Sequence, residues 1–339
     1  MSQSWKNFML SQNHSGDAEH CGSPADELAA ARDSAVLVDL ADQGLIRVSG
    51  SDAVPFLHNL LTNDVQNMAD DDVRFAGFCT PKGRLLATFY VWRNAEDLLI
   101  QLSADIQPAM MKKLSMYILR SKVTLADARE ETVLLGLGGP AAPTQVAALT
   151  GRAIEPRHVV AIDGGLLWRA DDQRYVLVLS PQAAIQLWPK LAAAARPAGL
   201  AAWRWLEIAA GQPRVVGATQ EAFVPQMLNM EIPVVGGLIF TKGCYPGQEI
   251  VARTQYLGKI KRRMFRGAMH DAIPVGTDVF TPEAGDQHCG AVVTGAPSPN
   301  GGHEYLVVVQ ISGAEAGEIH VGSPSGPRLR LLSLPYTLD

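Results

Sequence analysis

Hydrophobic residues recur along the chain in two patterns, one typical of strands and one typical of helices. Short apolar runs bounded by turn residues predict strands at 73–79, 85–92 and 98–102, and the last two runs predict a hairpin across a polar loop. Apolar residues at helical spacing predict helices at 53–61 and 105–117. The first part of the chain is therefore predicted to mix strands and helices.

The pattern also divides the chain into regions. Residues 1–25 are polar and rich in Ser, Asn, His and Gly, and they predict a flexible N-terminal arm. Residues 26–255 are predicted to form a mixed α/β region with two subdomains. From 256 to 339, short strands alternate with Gly, Pro and Asn turns and no convincing helix interrupts them, which is typical of a small antiparallel β-barrel.

Length and composition agree with this division. The chain has 339 residues, of which 47% are hydrophobic and 19% charged, so it has ample apolar material for about two domains. Its formal charge of −5 argues against wholesale coating of nucleic acid. The four cysteines are widely spaced and form no CxxC pair, so neither a disulfide scaffold nor a stably bound metal is predicted.

The chain shows no sign of export or membrane insertion. Its N-terminal residues lack a long apolar run, which argues against a secretory or mitochondrial leader. The longest uncharged stretch, residues 132–151, is interrupted by Pro140, Pro143 and several glycines. We therefore expect a cytoplasmic protein without membrane contact.

Two stretches are candidates for binding phosphate groups. Gly136-Leu-Gly-Gly-Pro-Ala141 fits a loose dinucleotide fingerprint, but Pro140 removes an amide donor that a pyrophosphate would need, which favours a tight strand-to-helix turn. The stretch from Arg253 to Arg266 carries six basic residues and no acidic one. It is either a solvated face or an anion site for a polyglutamate tail, RNA phosphates or an acidic partner.

The helix predicted at 201–210 carries an unusual pair. Trp203 and Glu207 are i,i+4 neighbours on one face, which is otherwise apolar. An aromatic plane beside a carboxylate suits a flat ligand that presents two N–H groups, such as a pterin or a purine. From spacing alone, the alternative remains open that Trp203 is a core residue and that Glu207 caps a backbone group or is exposed.

The most specific motif is Lys-Gly-Cys-Tyr-Pro-Gly-Gln-Glu at 242–249. Cys244 follows Lys242 and precedes a Pro-Gly turn into a helix predicted at Gln248, and a thiol near a lysine and a helix N-terminus can be reactive. Spacing does not decide whether this thiol attacks, binds metal transiently or only packs. The other motif residues that we single out are Gly243, Tyr245, Gly247, Gln248, Glu249 and Arg253.

This motif resembles the signature of the YgfZ family of folate-binding proteins, which are related to the T-protein (aminomethyltransferase) of the glycine cleavage system. Segments 52–64, 207–213, 223–229 and 334–336 are also similar to the family, so the resemblance covers nearly the whole chain. It implies an α+β, T-protein-like fold, in which two α/β subdomains and a C-terminal antiparallel β-barrel surround a central folate-binding opening.

The resemblance also implies a function and a site. Tetrahydrofolate or a one-carbon derivative is expected to bind with Glu207 as its pterin-binding carboxylate and Trp203 as a stacking partner. Members of the family support the assembly or repair of iron–sulfur enzymes, including enzymes that modify tRNA. Cys244, tuned by Lys242, is the expected reactive residue, and the expected partners are iron–sulfur assembly proteins or client enzymes.

One departure separates this chain from the T-protein. The T-protein carries paired aspartates, one of them catalytic, where alignment from Gly83 gives Ala87 and Thr88 here. Neither residue supplies a carboxylate, so we expect no aminomethyl transfer as the main activity. A folate-dependent one-carbon transferase remains the alternative from the enzyme class, and an RNA-contacting factor that uses Arg253–Arg266 remains the alternative from the binding class.

Overall fold

The computed structural model describes residues 2–12, 18–256 and 260–338 of the chain. The helices within these ranges are α1 (Gln3–Ser11), α2 (Pro24–Asp33), α3 (Ala53–His58), α4 (Gln107–Ser115), α5 (Ala142–Thr150), α6 (Pro181–Ala192), α7 (Leu200–Ala209), α8 (Gln248–Tyr256) and α9 (Ile311–Ala316). The strands are β1 (Val36–Asp39), β2 (Gln43–Ser49), β3 (Val73–Cys79), β4 (Leu85–Asn94), β5 (Asp97–Ser103), β6 (Thr124–Asp127), β7 (Val133–Gly138), β8 (Val159–Ile162), β9 (Gly165–Arg169), β10 (Arg174–Leu179), β11 (Arg196–Ala198), β12 (Arg262–Met269), β13 (Asp278–Phe280), β14 (Gly290–Pro297), β15 (His303–Gln310), β16 (His320–Val321) and β17 (Arg330–Leu332).

The first sheet has the order β3-β4-β5-β2-β6, and all its neighbouring strands are antiparallel. Because side chains alternate along a strand, β4 contributes to two cores. Phe89 and Val91 pack in a core with residues of α3 and α4, whereas Tyr90 and Trp92 face the core shared with the rest of the molecule. The expected hairpin is present as β4 and β5.

The second sheet has the order β11-β1-β7-β10-β9-β8. Its strand β1 precedes the whole first sheet in sequence, so the chain leaves the second sheet, builds the first and then returns. The short strand β11 pairs in parallel with β1. The two subdomains are therefore interleaved, because β1 needs partners that lie about 100 and 160 residues further along the chain.

The N-terminal segment is not the loose arm that the sequence predicts. Residues 3–11 form α1, and the Trp5 side chain is fully buried. Its ring lies 5.6 Å from that of Trp188 on α6, and its indole N–H donates to Asp39 over 3.1 Å. The arm prediction fails because burial of one tryptophan by a distant helix outweighs a polar local composition; the part of the arm at residues 13–17 lies outside the described residues.

The C-terminal region is a six-stranded antiparallel sheet in the order β16-β13-β14-β15-β12-β17. An isolated bridge joins His320 of β16 to Arg328, two residues before β17, so the two edges of the sheet approach each other and the sheet curves into a half-barrel. Its interior is filled by a separate apolar core that includes Val279, Tyr305 and Val307. One expectation is wrong: the short helix α9 interrupts the strands, and it ends at Gly317 in a left-handed conformation.

Helix α7 lies where these parts meet. It packs against α2, β1 and β7 on one side and against β14 and β15 of the barrel on the other. It begins after Gly199 and ends before Gly211, whose φ of +63° stops the helix. None of the helices within the described ranges is both long and apolar enough to span a bilayer.

Candidate functional site

Glu207 on α7 lies between two buried arginines. One carboxylate oxygen is 3.6 Å from Arg174 Nη1 on β10, and the other is 3.7 Å from Arg214 Nε in the segment after α7. The Glu207 residue is only 7% exposed, yet among the described residues no donor hydrogen-bonds its carboxylate. A buried carboxylate in this state still has free acceptor capacity.

Each arginine has a second acidic partner. Arg174 contacts Asp171 at 2.7 Å, and Arg214 contacts Asp42 at 2.9 Å. Burial lowers the pKa of both guanidinium groups, but the surrounding carboxylates outweigh it and raise their pKa above the ordinary value. The two arginines therefore keep their positive charges at neutral pH.

The cluster continues into an aromatic and polar lining. Arg157 lies over the ring of Tyr90 at 5.1 Å and donates to Gln212 Oε1 over 3.0 Å. The Tyr90 ring lies 4.8 Å from Trp168, and burial raises the pKa of its hydroxyl. Among the described residues, several buried polar atoms here have no hydrogen-bond partner: Tyr90 Oη, Gln212 Nε2, Trp92 Nε1, Trp168 Nε1 and Arg214 Nε. Buried polar groups normally have a partner, so these atoms could bond ordered water or a polar ligand.

The two arginines that flank Glu207 each line a cavity. Arg174 lines one of about 240 Å³ together with Leu206 and Ala210 of α7. Arg214 lines a second one of about 270 Å³, between α7 and the barrel, together with Asp42 and Arg204. Glu207 itself lines neither of these two cavities.

Trp203 lies in the core next to this cluster. It is 3% exposed, and a Cβ atom at Gly136 would come within 2.6 Å of its ring. The Arg174 guanidinium lies 5.6 Å from the ring centroid. Gly136 and Gly138 of the loose fingerprint thus make room for Trp203 and Leu206, which agrees with the tight-turn interpretation. The stacking role of Trp203 stays a prediction. The Tyr90 ring is in turn covered by Arg157, Trp168 and Phe75.

Ala87 and Thr88, the positions at which the T-protein carries its aspartates, lie on β4 beside Tyr90. Thr88 lies on the face of β4 that carries Tyr90, and its hydroxyl accepts a hydrogen bond from the Val215 amide over 3.1 Å. Ala87 points to the opposite face and is fully buried in the core of the first sheet. The described site therefore has no carboxylate at this point of β4.

The cysteine motif forms an exposed loop with a buried anchor. Cys244 is exposed, whereas Lys242 is 9% exposed and donates from Nζ to the carbonyl oxygens of His58 at 2.5 Å and Leu61 at 2.7 Å. Burial lowers the pKa of Lys242 to about 8. Its ammonium also lies 5.0 Å from the centroid of the buried Tyr245 ring. The lysine thus holds the loop against the end of α3; tuning of the thiol by Lys242 stays a prediction.

The end of the motif is a tight backbone contact. Gly247 has a φ of +82°, and a Cβ atom there would lie 2.4 Å from the Thr80 carbonyl oxygen. Helix α8 then begins at Gln248 as predicted and presents exposed Glu249 and Arg253. Arg157 also donates to the carbonyl oxygen of Val235, in the segment that leads to the motif.

The basic stretch is less available than its sequence suggests. Arg263 pairs with Glu231 and Arg266 with Glu304, and both acids are almost fully buried. Arg253 and Lys261 are exposed, and Lys259 lies outside the described residues. Contact with RNA through this stretch stays a prediction. It would depend on fewer free positive charges than the sequence suggests, because Arg263 and Arg266 are paired with acids.

One group of side chains has the composition of a metal site. Asp71, Asp72 and His158 bring one potential ligand atom each within 4.8 Å of one another. Asp72, however, already contacts Arg74 at 2.6 Å and accepts from the Ala69 amide over 3.0 Å. These protein contacts account for the group without an ion.

Sequence reasoning missed most of the Glu207 surroundings. Arg174, Arg157 and Arg214 carry no motif, and only the fold brings them to α7. Tyr90 had a weak signal, since it follows Thr88 by two residues on a strand and so shares its face. His58 and Asp64 lie within the segment 52–64 but were not singled out as site residues.

Comparison with known proteins agrees with this architecture. Residues 7–160 match the family model described as the GCVT N-terminal domain. The chain is 31% identical over 326 residues to the tRNA-modifying protein YgfZ of Edwardsiella ictaluri, covering 94% of this chain and 97% of that protein. It is 28% identical over 321 residues to the tRNA-modifying protein YgfZ of Escherichia coli, covering 93% and 98% respectively.

A solved structure shows the same fold at lower identity. The glycine cleavage system aminomethyltransferase T from Bartonella henselae superposes with a TM-score of 0.76, covering 98% of this chain and 97% of that one, at 20% identity. The α+β, T-protein-like fold with its C-terminal barrel is thereby confirmed.

Proposed function

This chain belongs to the YgfZ family, and from that premise we propose that it binds tetrahydrofolate, or a one-carbon derivative, at Glu207. We further propose that it supports the assembly or repair of iron–sulfur enzymes in the cytoplasm, including enzymes that modify tRNA. Cys244 is the reactive group in this proposal. Its partners are iron–sulfur assembly proteins or the client enzymes themselves.

The observation that carries the proposal is the state of the Glu207 carboxylate. It is buried, flanked by Arg174 and Arg214 at 3.6 and 3.7 Å, and hydrogen-bonded by no described residue. The pterin ring of a folate presents adjacent N–H groups that can donate two parallel hydrogen bonds to a carboxylate. The Tyr90 ring and the unpaired polar atoms beside it suit a flat ligand rich in donors and acceptors.

The arginines fit a role in holding Glu207 for the ligand. Arg174 and Arg214 flank its carboxylate and are themselves held by Asp171 and Asp42. A bound folate would supply a carrier for one-carbon units. The protein residues would orient its pterin ring.

Thr88 supports a role other than aminomethyl transfer. Its hydroxyl already accepts from the Val215 amide, and β4 offers no carboxylate toward Glu207. One exposed cysteine also cannot complete the four-thiolate ligation of a stable cluster, so a contact with a cluster would be transient or shared with a partner.

The first test is calorimetric titration with 5-formyltetrahydrofolate. We expect the wild type to bind and the Glu207→Gln variant to bind at least tenfold more weakly. The matched control is Glu131→Gln, the same change at an exposed carboxylate paired with Arg47. Absence of binding by the wild type at millimolar ligand would remove folate from the mechanism.

The role of the thiol needs a separate test. We expect Cys244→Ala to fold normally but to restore iron–sulfur enzyme activity poorly in a deletion strain. Full complementation by this variant would contradict the role of Cys244. The alternative function, a folate-dependent one-carbon transferase, would be favoured if the purified protein turned over a methylated or aminomethylated folate and kept that activity after Cys244→Ser.

A further inference from the structure

The end of α4 and the turn that follows it form an exposed basic surface on the first subdomain. From residue 106 to residue 126 the chain contains no acidic residue. Four basic residues fall in this stretch: Lys112, Lys113, Arg120 and Lys122. None of their side chains has an ion pair or a hydrogen bond with another described residue. The fold therefore leaves these positive charges without a partner inside the described chain.

Two large apolar side chains lie among the charges. Met116, directly after α4, is 56% exposed, and Leu119 in the following turn is 89% exposed. Met116 comes three residues after Lys113, a spacing that puts two side chains on one side of a helix end. Leu119 and Arg120 line an open concavity, whose other lining residues are Asp52, Tyr117 and Ser121. We call the surface formed by Lys112, Lys113, Met116, Leu119, Arg120 and Lys122 the α4 tip.

The turn holds Leu119 in a backbone conformation that leucine rarely adopts. Its φ is +45°, in the left-handed region where glycine and asparagine are the usual residues. The turn is tied to the start of α3, because the Lys122 amide donates to Asp52 Oδ2 over 2.7 Å. Neither backbone preference nor packing within the chain favours an exposed leucine at this point. Contact with another molecule would account for it.

We propose that the α4 tip binds an acidic segment of a partner protein that also carries an apolar side chain. The carboxylates of the segment would face the four basic side chains, and its apolar side chain would enter the concavity beside Leu119. Charge complementarity at the rim and a small apolar centre are typical of protein interfaces. The inference goes beyond the proposed function, because neither folate nor Cys244 takes part in it.

Other occupants fit the α4 tip less well. RNA would match its charges, but Tyr117, the aromatic residue of the concavity, packs its ring against Phe78 at a centroid distance of 5.8 Å instead of standing free to stack on a base. A flat bilayer surface would meet Leu119 but would not fill a concavity. A second copy of this chain that used the same surface would bring like charges together.

The test is fluorescence polarisation with a labelled synthetic peptide of eight acidic residues and two central leucines. A second peptide, with serines in place of the leucines, measures the apolar contribution. We expect the wild type to bind the leucine peptide about tenfold more tightly, because burial of a large apolar side chain is worth about this factor. Raising the salt concentration from 50 to 200 mM should weaken the binding of both peptides, because exposed charges are screened.

Two variants locate the binding at the α4 tip. Leu119→Asn should keep the wild-type Tm, because asparagine tolerates a positive φ, and should bind the leucine peptide about tenfold more weakly. Its control is Leu10→Asn, the same change at a leucine of α1 that is 64% exposed. Arg120→Glu should weaken the binding of both peptides, whereas Lys190→Glu, a charge reversal at an exposed position of α6, should leave it unchanged.

Two results with the peptides overturn the inference: no binding by the wild type at millimolar peptide, or equal affinity of Leu119→Asn and the wild type for the leucine peptide. Parallel titrations with polyuridine RNA and with phosphatidylglycerol vesicles test the other occupants. If one of these binds and Arg120→Glu weakens that binding, while neither peptide binds, the α4 tip serves RNA or a membrane and the inference is wrong. No titration contains folate, so the result is independent of the folate proposal.

Discussion

Replacing Glu207 with glutamine tests whether this carboxylate compensates two buried arginines in the absence of any ligand. The change removes one negative charge and keeps the size of the side chain. It leaves Arg174 with Asp171 and Arg214 with Asp42 as remaining partners. We expect the variant to fold and to be less stable than the wild type.

The size of the effect follows from the distances. At 3.6 and 3.7 Å, each ion pair is worth roughly 4–5 kcal/mol at an effective dielectric constant of about 20. Relief of the desolvation of the carboxylate offsets about half of this sum, and the glutamine oxygen retains some attraction to the arginines. The expected net loss is about 2–4 kcal/mol. For a chain of 339 residues that unfolds as one unit, this corresponds to a fall in Tm of roughly 3–6 °C.

The assay is thermal unfolding at pH 7 of the wild type, Glu207→Gln and Glu131→Gln. Glu131 contacts Arg47 at only 2.7 Å, but its side chain is 64% exposed, so its loss should cost about 1 kcal/mol or less. We therefore expect Glu207→Gln to lose more stability than Glu131→Gln, because Glu207 is buried, although the Glu131 ion pair is the shorter one. Equal Tm values for the two variants would refute the compensating role of Glu207.

Three further predictions concern the motif, Asp39 at the end of β1 and the basic stretch. Gly247→Ala should lower the free energy of unfolding by about 2–4 kcal/mol, because it adds a clash with the Thr80 carbonyl oxygen to the strain of a positive φ. The control Gly151→Ala, at a φ of +74° with open space around it, should lower it by about 1 kcal/mol. Similar losses for the two variants in thermal melts would contradict the tight contact at Gly247. Burial raises the pKa of Asp39 to about 6 in the folded protein, above the ordinary 3.8. Between these two pH values Asp39 is ionised in the unfolded chain but still protonated in the folded protein, so the free energy of unfolding falls as the pH rises through this window. Asp39→Asn should therefore be about 1–3 kcal/mol more stable than the wild type at pH 7 and equal to it near pH 4, and parallel stability–pH curves would argue against a buried charge. If the basic stretch contacts RNA, Lys261→Glu should weaken the binding of tRNA and reduce its salt dependence, as measured by fluorescence polarisation at 50 and 200 mM salt.

Local patterns predicted much of the framework. The strands at 73–79 and 98–102 and the helix around 105–117 are present as β3, β5 and α4 with small shifts at their ends. Alternating or helically spaced apolar residues suffice for such elements, because each buries one face. The cysteine motif was also found from its letters alone, since glycines and a proline at fixed spacing imply a particular backbone shape.

Composition was misleading where a distant partner decided the outcome. The polar N-terminus contains one tryptophan, and Trp188, its partner, is 183 residues away. Strand β1 was not predicted because its neighbours β7 and β11 are equally remote in sequence. Short segments of this kind form only when another element covers them, and no local pattern records that cover.

The sequence by itself determined many of the elements, the family and the candidate site residues Glu207 and Cys244, because these depend on local spacing and on side-chain chemistry. Only the tertiary structure decided which charges meet. It surrounds Glu207 with Arg174 and Arg214, turns Lys242 inward to the His58 carbonyl and brings the His58 ring to the Cys244 loop. The physical reason is that burial and short-range electrostatics depend on contacts between segments far apart in the chain, and these contacts exist only once the sheets, α7 and the barrel have packed together.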